Sequence, residues 1–471
     1  NIAIGKHCMG ANTTASENTS VGTEALEANT TGVQNCAFGF RSLEDNTTAN
    51  HNTAFGHETL KENTTGTENT AVGANALDAN TTGNACTAIG FNSLSANTAH
   101  SSTAVGHECL RSNTSGAGNV GIGKNALFTN TTGNYNFAAG ADALQQNNAS
   151  NNVAIGHDAL KLNTSGENNT AVGMNALAAN TSAQKNVAIG TGALLVNTTG
   201  QKNIAIGADA LDANTTGSEN VAVGSSALGK NTTASYNTAL GRLALFENTT
   251  GSENTAVGYA SLDACTTANQ NTAVGFESVS ACTTGIRNTG IGRKALRDVV
   301  TGMQNTAVGS SCLLNNTADN NTAVGNDAMV SNTSGYQNTA VGATALDANT
   351  SGANNVAIGQ TALGQNTTGN NNTSVGRNSL ASNVSGIHNT AVGYQALHGN
   401  TASNNTAMGY NALLNNTSGT GNTAVGLGAA VSLTTGNNNV AIGKDALQDC
   451  QDHNENTAVG QNALADNVAS H

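Results

Sequence analysis

The chain has 471 residues, a formal net charge of −13, 10% charged and 3% aromatic residues, and no Trp or Pro. Spread along its length, that charge is neither the basic footprint of a nucleic-acid-binding surface nor the block of an acidic tail. So few aromatic rings leave little for a compact core of ordinary size. No signal peptide is visible, and no apolar run approaches the roughly 20 residues of a membrane helix.

In chain order the sequence is one phrase repeated. Units begin at Asn1, Asn18, Asn35, Asn52 and Asn69 and continue to Asn456, which makes 28 units with the consensus N-T-A-V-G-x-x-A-L-x-x-N-T-T-G-x-x. Of the 27 steps between starts, 23 are 17 residues and four are 16. A uniform repeat overrides the two or three domains that this length suggests. Residues 1–471 are expected to form a single continuous array. The absence of polar caps, which solenoids normally carry, points to a segment of a longer chain or to subunits stacking end to end.

Within a unit, T-A-V alternates as a short strand does, positions 2 and 4 on one face and 3 on the other. Val or Ile at position 4 and Leu at position 9 are the expected core. Position 5 is Gly in all 28 units, which permits a turn or a close backbone approach. A second short strand is expected around the A-L pair at positions 8 and 9, and N-T-T-G has corner chemistry. The fold class that follows is all-β, a parallel β-solenoid or β-roll of 28 rungs. One rung cannot fold alone: burying its two apolar side chains contributes roughly 1.5 to 3 kcal/mol each, against about 1 to 2 kcal/mol per residue ordered. Stacking at about 4.8 Å per rung supplies the rest and predicts a rod on the order of 130 Å.

Positions 6, 7, 10, 16 and 17 vary freely and read as outside, whereas 3 and 8 stay small, which suits a narrow interior or a close neighbouring chain. The short units, starting at Cys86, Asn136, Asn305 and Asn389, lose their residue near N-T-T-G. That corner is therefore a loop whose backbone can adjust.

NVAIGHDAL at 152–160 and NVAIGTGAL at 186–194 resemble the S-V-A-I-G-x-x-[SA] phrase in the head repeats of trimeric autotransporter adhesins, and N-T-A-V-G resembles repeats of phage tail-fibre and environmental proteins. The resemblance implies parallel β-roll rungs, with a trimer of chains side by side in the adhesins. It covers the first half of each unit; the second half, x-x-N-T-T-G-x-x, departs from the adhesin pattern. The β-roll is thus carried over, with trimerisation left open.

Asn at position 12 followed by Thr or Ser at position 14 forms an N-glycosylation acceptor pattern in eighteen units: Asn12, Asn29, Asn46, Asn63, Asn80, Asn113, Asn130, Asn163, Asn180, Asn197, Asn214, Asn231, Asn248, Asn332, Asn349, Asn366, Asn383 and Asn416. The competing reading is a hydrogen-bonded Asn ladder beside a Thr ladder. Two features favour the ladder: Thr267, Thr284, Thr301 and Thr435 keep position 14 where Asn is lost, and sugars on rungs about 4.8 Å apart would crowd.

Among eight cysteines, Cys265 and Cys282 share position 12 of adjacent units. Ladder spacing would bring their α-carbons within bridging range, which makes them a disulfide candidate. Cys8, Cys109 and Cys312 replace Ala at position 8 and read as small buried thiols. No C-x-x-C, phosphate loop, nucleophile elbow or convergent carboxylate pair appears, so no cofactor, metal or catalytic residue is assigned. His57-Glu58, His107-Glu108 and His157-Asp158 recur three rungs apart, about 14 Å by ladder spacing, and read as solvated.

The expectation is a non-enzymatic extracellular structural protein, a filament, fibre or surface appendage, glycosylated along its corner if the acceptors are used. Its partners are copies of itself and covalent glycans, with no nucleic acid and no membrane insertion. The alternatives are the shaft or head of an adhesin or phage fibre and, more weakly, an ice-binding solenoid, since a flat T-x-T array is not written into each rung.

Overall fold

The computed structural model describes residues 1–466, which form 28 three-residue strands. None of the described residues lies in a helix long and apolar enough to cross a membrane. The chain divides into two compact units, Asn1–Tyr236 and Asn237–His471. The first holds fourteen strands, β1 (Ile2–Ile4) to β14 (Val221–Val223), and the second holds β15 (Thr238–Leu240) to β28 (Thr457–Val459).

Inside each unit, consecutive strands pair in parallel one repeat apart. Thr53, Ala54 and Phe55 face Thr70, Ala71 and Val72 in the first unit, and Thr255, Ala256 and Val257 face Thr272, Ala273 and Val274 in the second. Like residues therefore stack on like, as a solenoid requires. A 16-residue step leaves the pairing intact, Thr87 and Ala88 facing Thr103 and Ala104. The missing residue comes out of the corner: Asn97 Nδ2 reaches the Ala99 carbonyl two residues on (2.9 Å), where Asn63 Nδ2 reaches Gly66 three residues on (3.0 Å).

Only one strand forms per rung. The second strand expected around A-L is replaced by a turn segment in which positions 7 and 9 are left-handed, as at Glu24 (φ 60°) and Leu26 (φ 51°). Ala25 between them has no positive φ, so the backbone alternates in hand. The consequence is bidirectional stacking: the Glu24 amide donates back to the Lys6 carbonyl (2.9 Å), while the Leu26 amide donates forward to the Ser42 carbonyl (3.0 Å). Non-glycine residues in this region cost about 1 to 3 kcal/mol each. Bonds to both neighbouring rungs, together with the buried Leu, offset that strain.

Position 5 explains its invariance. Gly22 has φ 143°, and a Cβ there would run into the Gly39 carbonyl of the next rung. The glycine column is a place where backbones of successive rungs approach too closely for a side chain.

The expected core is half right. Leu26, Leu43 and Leu60 at position 9 are fully buried, as are Ala25 and Ala76 at position 8. Position 4, however, faces out: Phe55 is 56%, Val72 37% and Ile89 41% exposed, while Ala54, Ala71 and Ala88 at position 3 are at 0%. The alternation is as expected, with its phase reversed. The cause is the width of the interior. A Cβ added at Gly121, a position-3 residue, would meet Cys109 Sγ, and one at Gly290 would meet a Val279 methyl. Position 3 accordingly holds only Gly, Ala or Ser, and the bulky partner in the strand points away.

Candidate functional site: the asparagine corner

Two Asn columns line the interior. At position 12, Asn46 Nδ2 donates to Asn29 Oδ1 of the preceding rung (2.9 Å) and to the Ala49 carbonyl of its own rung (3.2 Å); Asn63 repeats this toward Asn46 Oδ1 (3.0 Å) and the Gly66 carbonyl (3.0 Å). At position 1, Asn35 Nδ2 donates to that same Ala49 carbonyl (2.8 Å), and its backbone amide donates to Asn18 Oδ1 (2.8 Å). One corner carbonyl thus ties both columns together. A carboxamide supplies two donors and an acceptor on a short stem. Asp would bring no donor and a buried charge, and Gln would be too long.

Seventeen of the eighteen candidate acceptors are fully buried: Asn29, Asn46, Asn63, Asn80, Asn113, Asn130, Asn163, Asn180, Asn197, Asn214, Asn231, Asn248, Asn332, Asn349, Asn366, Asn383 and Asn416. Asn12, in the first rung, is half-buried. A sugar on Nδ2 would replace an interior donor and need space that is already filled. The folded rung uses these amides as a hydrogen-bonded ladder.

The residue two places on is in the opposite situation. Thr31, Thr48, Thr65 and Thr82 at position 14 are exposed. Between them lies position 13, whose hydroxyl is engaged: Thr30 Oγ1 donates to the Thr47 carbonyl (3.0 Å), and Thr64 Oγ1 to the Thr81 carbonyl (3.0 Å). The sequence pattern singled out the triplet but not which end of it is outside.

Cys265 and Cys282 do occupy adjacent places in the position-12 column and are fully buried. Both stand as free thiols, each directed to a carbonyl of its own rung, Cys265 Sγ to Ala268 (3.6 Å) and Cys282 Sγ to Gly285 (3.2 Å). Burial pushes the Cys265 thiol up to about 12, with Cys282 beside it adding to the shift, and pushes Cys282 up to about 11. Cys109 and Cys312 at position 8 are likewise buried, each pushed by burial up to about 12.

On the outer rim, His57, His107 and His157 lie 3.9, 3.8 and 3.2 Å from Glu58, Glu108 and Asp158. Two groupings have ligand atoms close enough to suggest a metal, Asp142 with His157 and Asp158, and Glu24 with Glu27 and Glu44. Each already faces a basic side chain. Lys161 Nζ is 2.9 Å from Asp158 and 3.9 Å from Asp142, and Arg41 Nε is 2.7 Å from Glu24 and 3.8 Å from Glu44. The Arg41 hydrogen bond holds the Glu24 carboxyl below its usual range. Rim aromatics pair on successive rungs, Tyr259 with Phe276 at 5.5 Å and Tyr394 with Tyr410 at 5.2 Å between ring centroids.

No family model and no curated protein matches this chain. The architecture is a parallel β-solenoid with repeats of about 17 residues, which is compatible with a β-roll repeat protein.

Proposed function

We propose that the chain is a non-enzymatic structural protein that builds a fibre or surface appendage outside the cell, its strand face packing against copies of the same chain. The observation that carries the reading is the composition of that face. Positions 2 and 4 hold no charged residue in any of the 28 rungs, and position 4 is Val, Ile, Leu, Met, Phe or Ala throughout. Nearby outward positions 6 and 7 take Arg41, His57, Glu58 and Lys294. An exposed apolar stripe that never admits a charge is the mark of a surface that a partner covers.

A second copy has the same axial repeat and so meets the stripe rung by rung. Fourteen rungs of a three-residue strand make a face of about 10 by 67 Å. Two such faces together remove about 1,300 Å², within the range of roughly 1,200 to 2,000 Å² for specific interfaces. The non-enzymatic part rests on the interior amides being consumed by stacking and on a rim that changes from rung to rung, which suits no single preorganised pocket. Whether such a fibre is an adhesin head, a phage shaft or a free filament depends on what the rest of the assembly carries.

Sedimentation equilibrium tests the packing. The wild type is expected to exceed the 46.8 kDa of one chain, and a Val257→Lys, Val274→Lys, Val308→Lys variant, altered only on the outward face, to fall to it. A wild type that stays at one chain mass over the whole accessible concentration range removes the proposal.

Ice binding is a second reading, favoured by a feature of the second unit. There, position 2 is Thr in 12 of 14 rungs, beside a half-buried or exposed aliphatic or Met side chain at position 4. That is a flat, neutral T-x-V array where a T-x-T array was lacking. Thermal hysteresis that disappears in the triple Lys variant would establish it, and its absence in the monomeric wild type would discard it.

A further inference from the structure

The corner carries a second outward column whose chemistry the stack does not use. Of the 23 described rungs with 17 residues, 22 have Thr or Ser at position 14, Asp452 being the exception. All 22 are exposed. Among them, only Thr132 uses its hydroxyl in a side-chain hydrogen bond, to Asn148 at 3.3 Å. Position 13 accounts for its own Thr by the bond to the next rung, and position 12 for its Asn by the ladder. Position 14 has no such structural reason, since an exposed corner site serves equally well with Asn, Asp, Lys or Gly, and position 17, exposed at Glu17, Gln34, His51, Ala85, Tyr135 and Lys185, accepts many residue types. The hydroxyl also persists at Thr267, Thr284, Thr301 and Thr435, where the position-12 Asn has become Cys, Val or Leu. It is kept independently of the N-linked pattern.

We infer that position 14 is a ladder of O-glycosylation sites, the sugar being carried by the exposed hydroxyl column beside the buried Asn column. The reaction class is glycosyl transfer from a nucleotide- or lipid-linked sugar. The Thr or Ser Oγ attacks the anomeric carbon, the new C–O bond forms as the bond from that carbon to the donor's phosphate oxygen breaks, the hydroxyl proton passes to a base of the transferase, and the nucleotide or lipid phosphate leaves with the electron pair. A neutral sugar fits the column better than phosphate. Phosphoryl groups of about −1.5 to −2 charge each would stand on rungs about 4.8 Å apart, on a chain already at −13. The same spacing keeps occupancy below one sugar per rung or limits each site to a short glycan. This inference does not rest on the packing of the strand face.

The test is mass spectrometry on the full chain from its native source. The intact mass is expected to exceed 46.8 kDa by sugar-sized increments that alkaline β-elimination removes and an N-glycosidase does not, with fragmentation placing them at position 14. In the same host, Thr48→Ala and Thr65→Ala should each lose one increment when that rung is occupied, Thr65→Ser should retain it, and Thr64→Ala at position 13 should lose none. Circular dichroism matching the wild type separates loss of the acceptor from loss of the fold. A bare polypeptide mass, phosphate-sized increments, or sugar on the position-12 Asn would each overturn the assignment.

Discussion

The two units share one backbone pattern and differ in what fills it. In the first, position 12 is Asn in all 14 rungs, and the column runs unbroken from Asn29 to Asn231. In the second it is interrupted by Cys265, Cys282 and Val299, and again by Leu433 and Cys450. The backbone hardly notices. Cys265 N donates to the Leu262 carbonyl at 3.2 Å and Thr266 N to the Thr283 carbonyl at 3.3 Å, the distances of Asn46 N to Leu43 and Thr47 N to Thr64. The rung is thus set by its backbone bonds and its Leu, with the Asn column an addition that satisfies the corner. Around Leu433 the interior even exchanges volume: position 9 shrinks to Ala430 as position 12 grows to Leu, and both are buried. Such swaps are tolerated when total volume is kept.

The outward faces differ as well. Position 2 is Thr in 6 of 14 rungs in the first unit and in 12 of 14 in the second. The first unit places Phe38, Phe55 and Phe137 on this face, and Phe38 stacks on Phe55 at 5.4 Å. The second unit is the more regular array and the first the more apolar one. Lys substitutions at position 4 should therefore dissociate a first-unit contact at least as completely as a second-unit one, and mass measurements on Val172→Lys, Ile189→Lys against Val257→Lys, Val274→Lys decide it.

The sharpest test of the interior comparison is Asn130→Asp. It removes both donors and buries a carboxylate in an unbroken column, where an uncompensated charge costs about 3 to 5 kcal/mol. Chemical denaturation should show the first unit losing that stability and the second keeping its own transition. Should Asn130→Asp and Asn332→Asp both leave stability unchanged, the column would not be a stabilising feature at all. Next in size is repair of the second unit. Cys265→Asn with Cys282→Asn restores two ladder places, each adding about 1 kcal/mol of net hydrogen bonding, read as a rise in that unit's thermal midpoint.

The smallest effect concerns pH. Asp78 in the first unit has its carboxyl pushed up to about 6 by burial, which outweighs hydrogen bonds from its own amide and that of Ala79. Asp263 in the second unit is raised for the same reason. A raised carboxyl binds its proton more readily in the folded rung, so this contribution is present at low pH and is lost as pH rises through about 6. Asp78→Asn should flatten that slope between the ordinary Asp range and about 6, as followed by thermal midpoints across pH.

The rung architecture was readable because identical residues recurring every 16 or 17 places leave parallel stacking as the arrangement that bonds every unit to its neighbours. Small residues at positions 3 and 8, Gly at 5 and the adjustable corner were legible for the same reason. The strand face was missed, although a signal for it existed: positions 2 and 4 never carry charge while 6 and 7 do. The exposed hydroxyls at position 14 were missed because an acceptor pattern names three residues without saying which of them faces water.

By itself, then, the sequence determined the repeat and the register, because these follow from periodicity. Only the tertiary structure decided which face of T-A-V turns inward, since a period of two reads the same in either phase and the packing of Leu26 and Ala25 opposite the strand leaves room only for a side chain as small as that of Ser20. It likewise decided that A-L is a turn of alternating hand and that Asn lies inside while its neighbouring Thr lies out. Those choices depend on contacts between rungs, which no single unit contains.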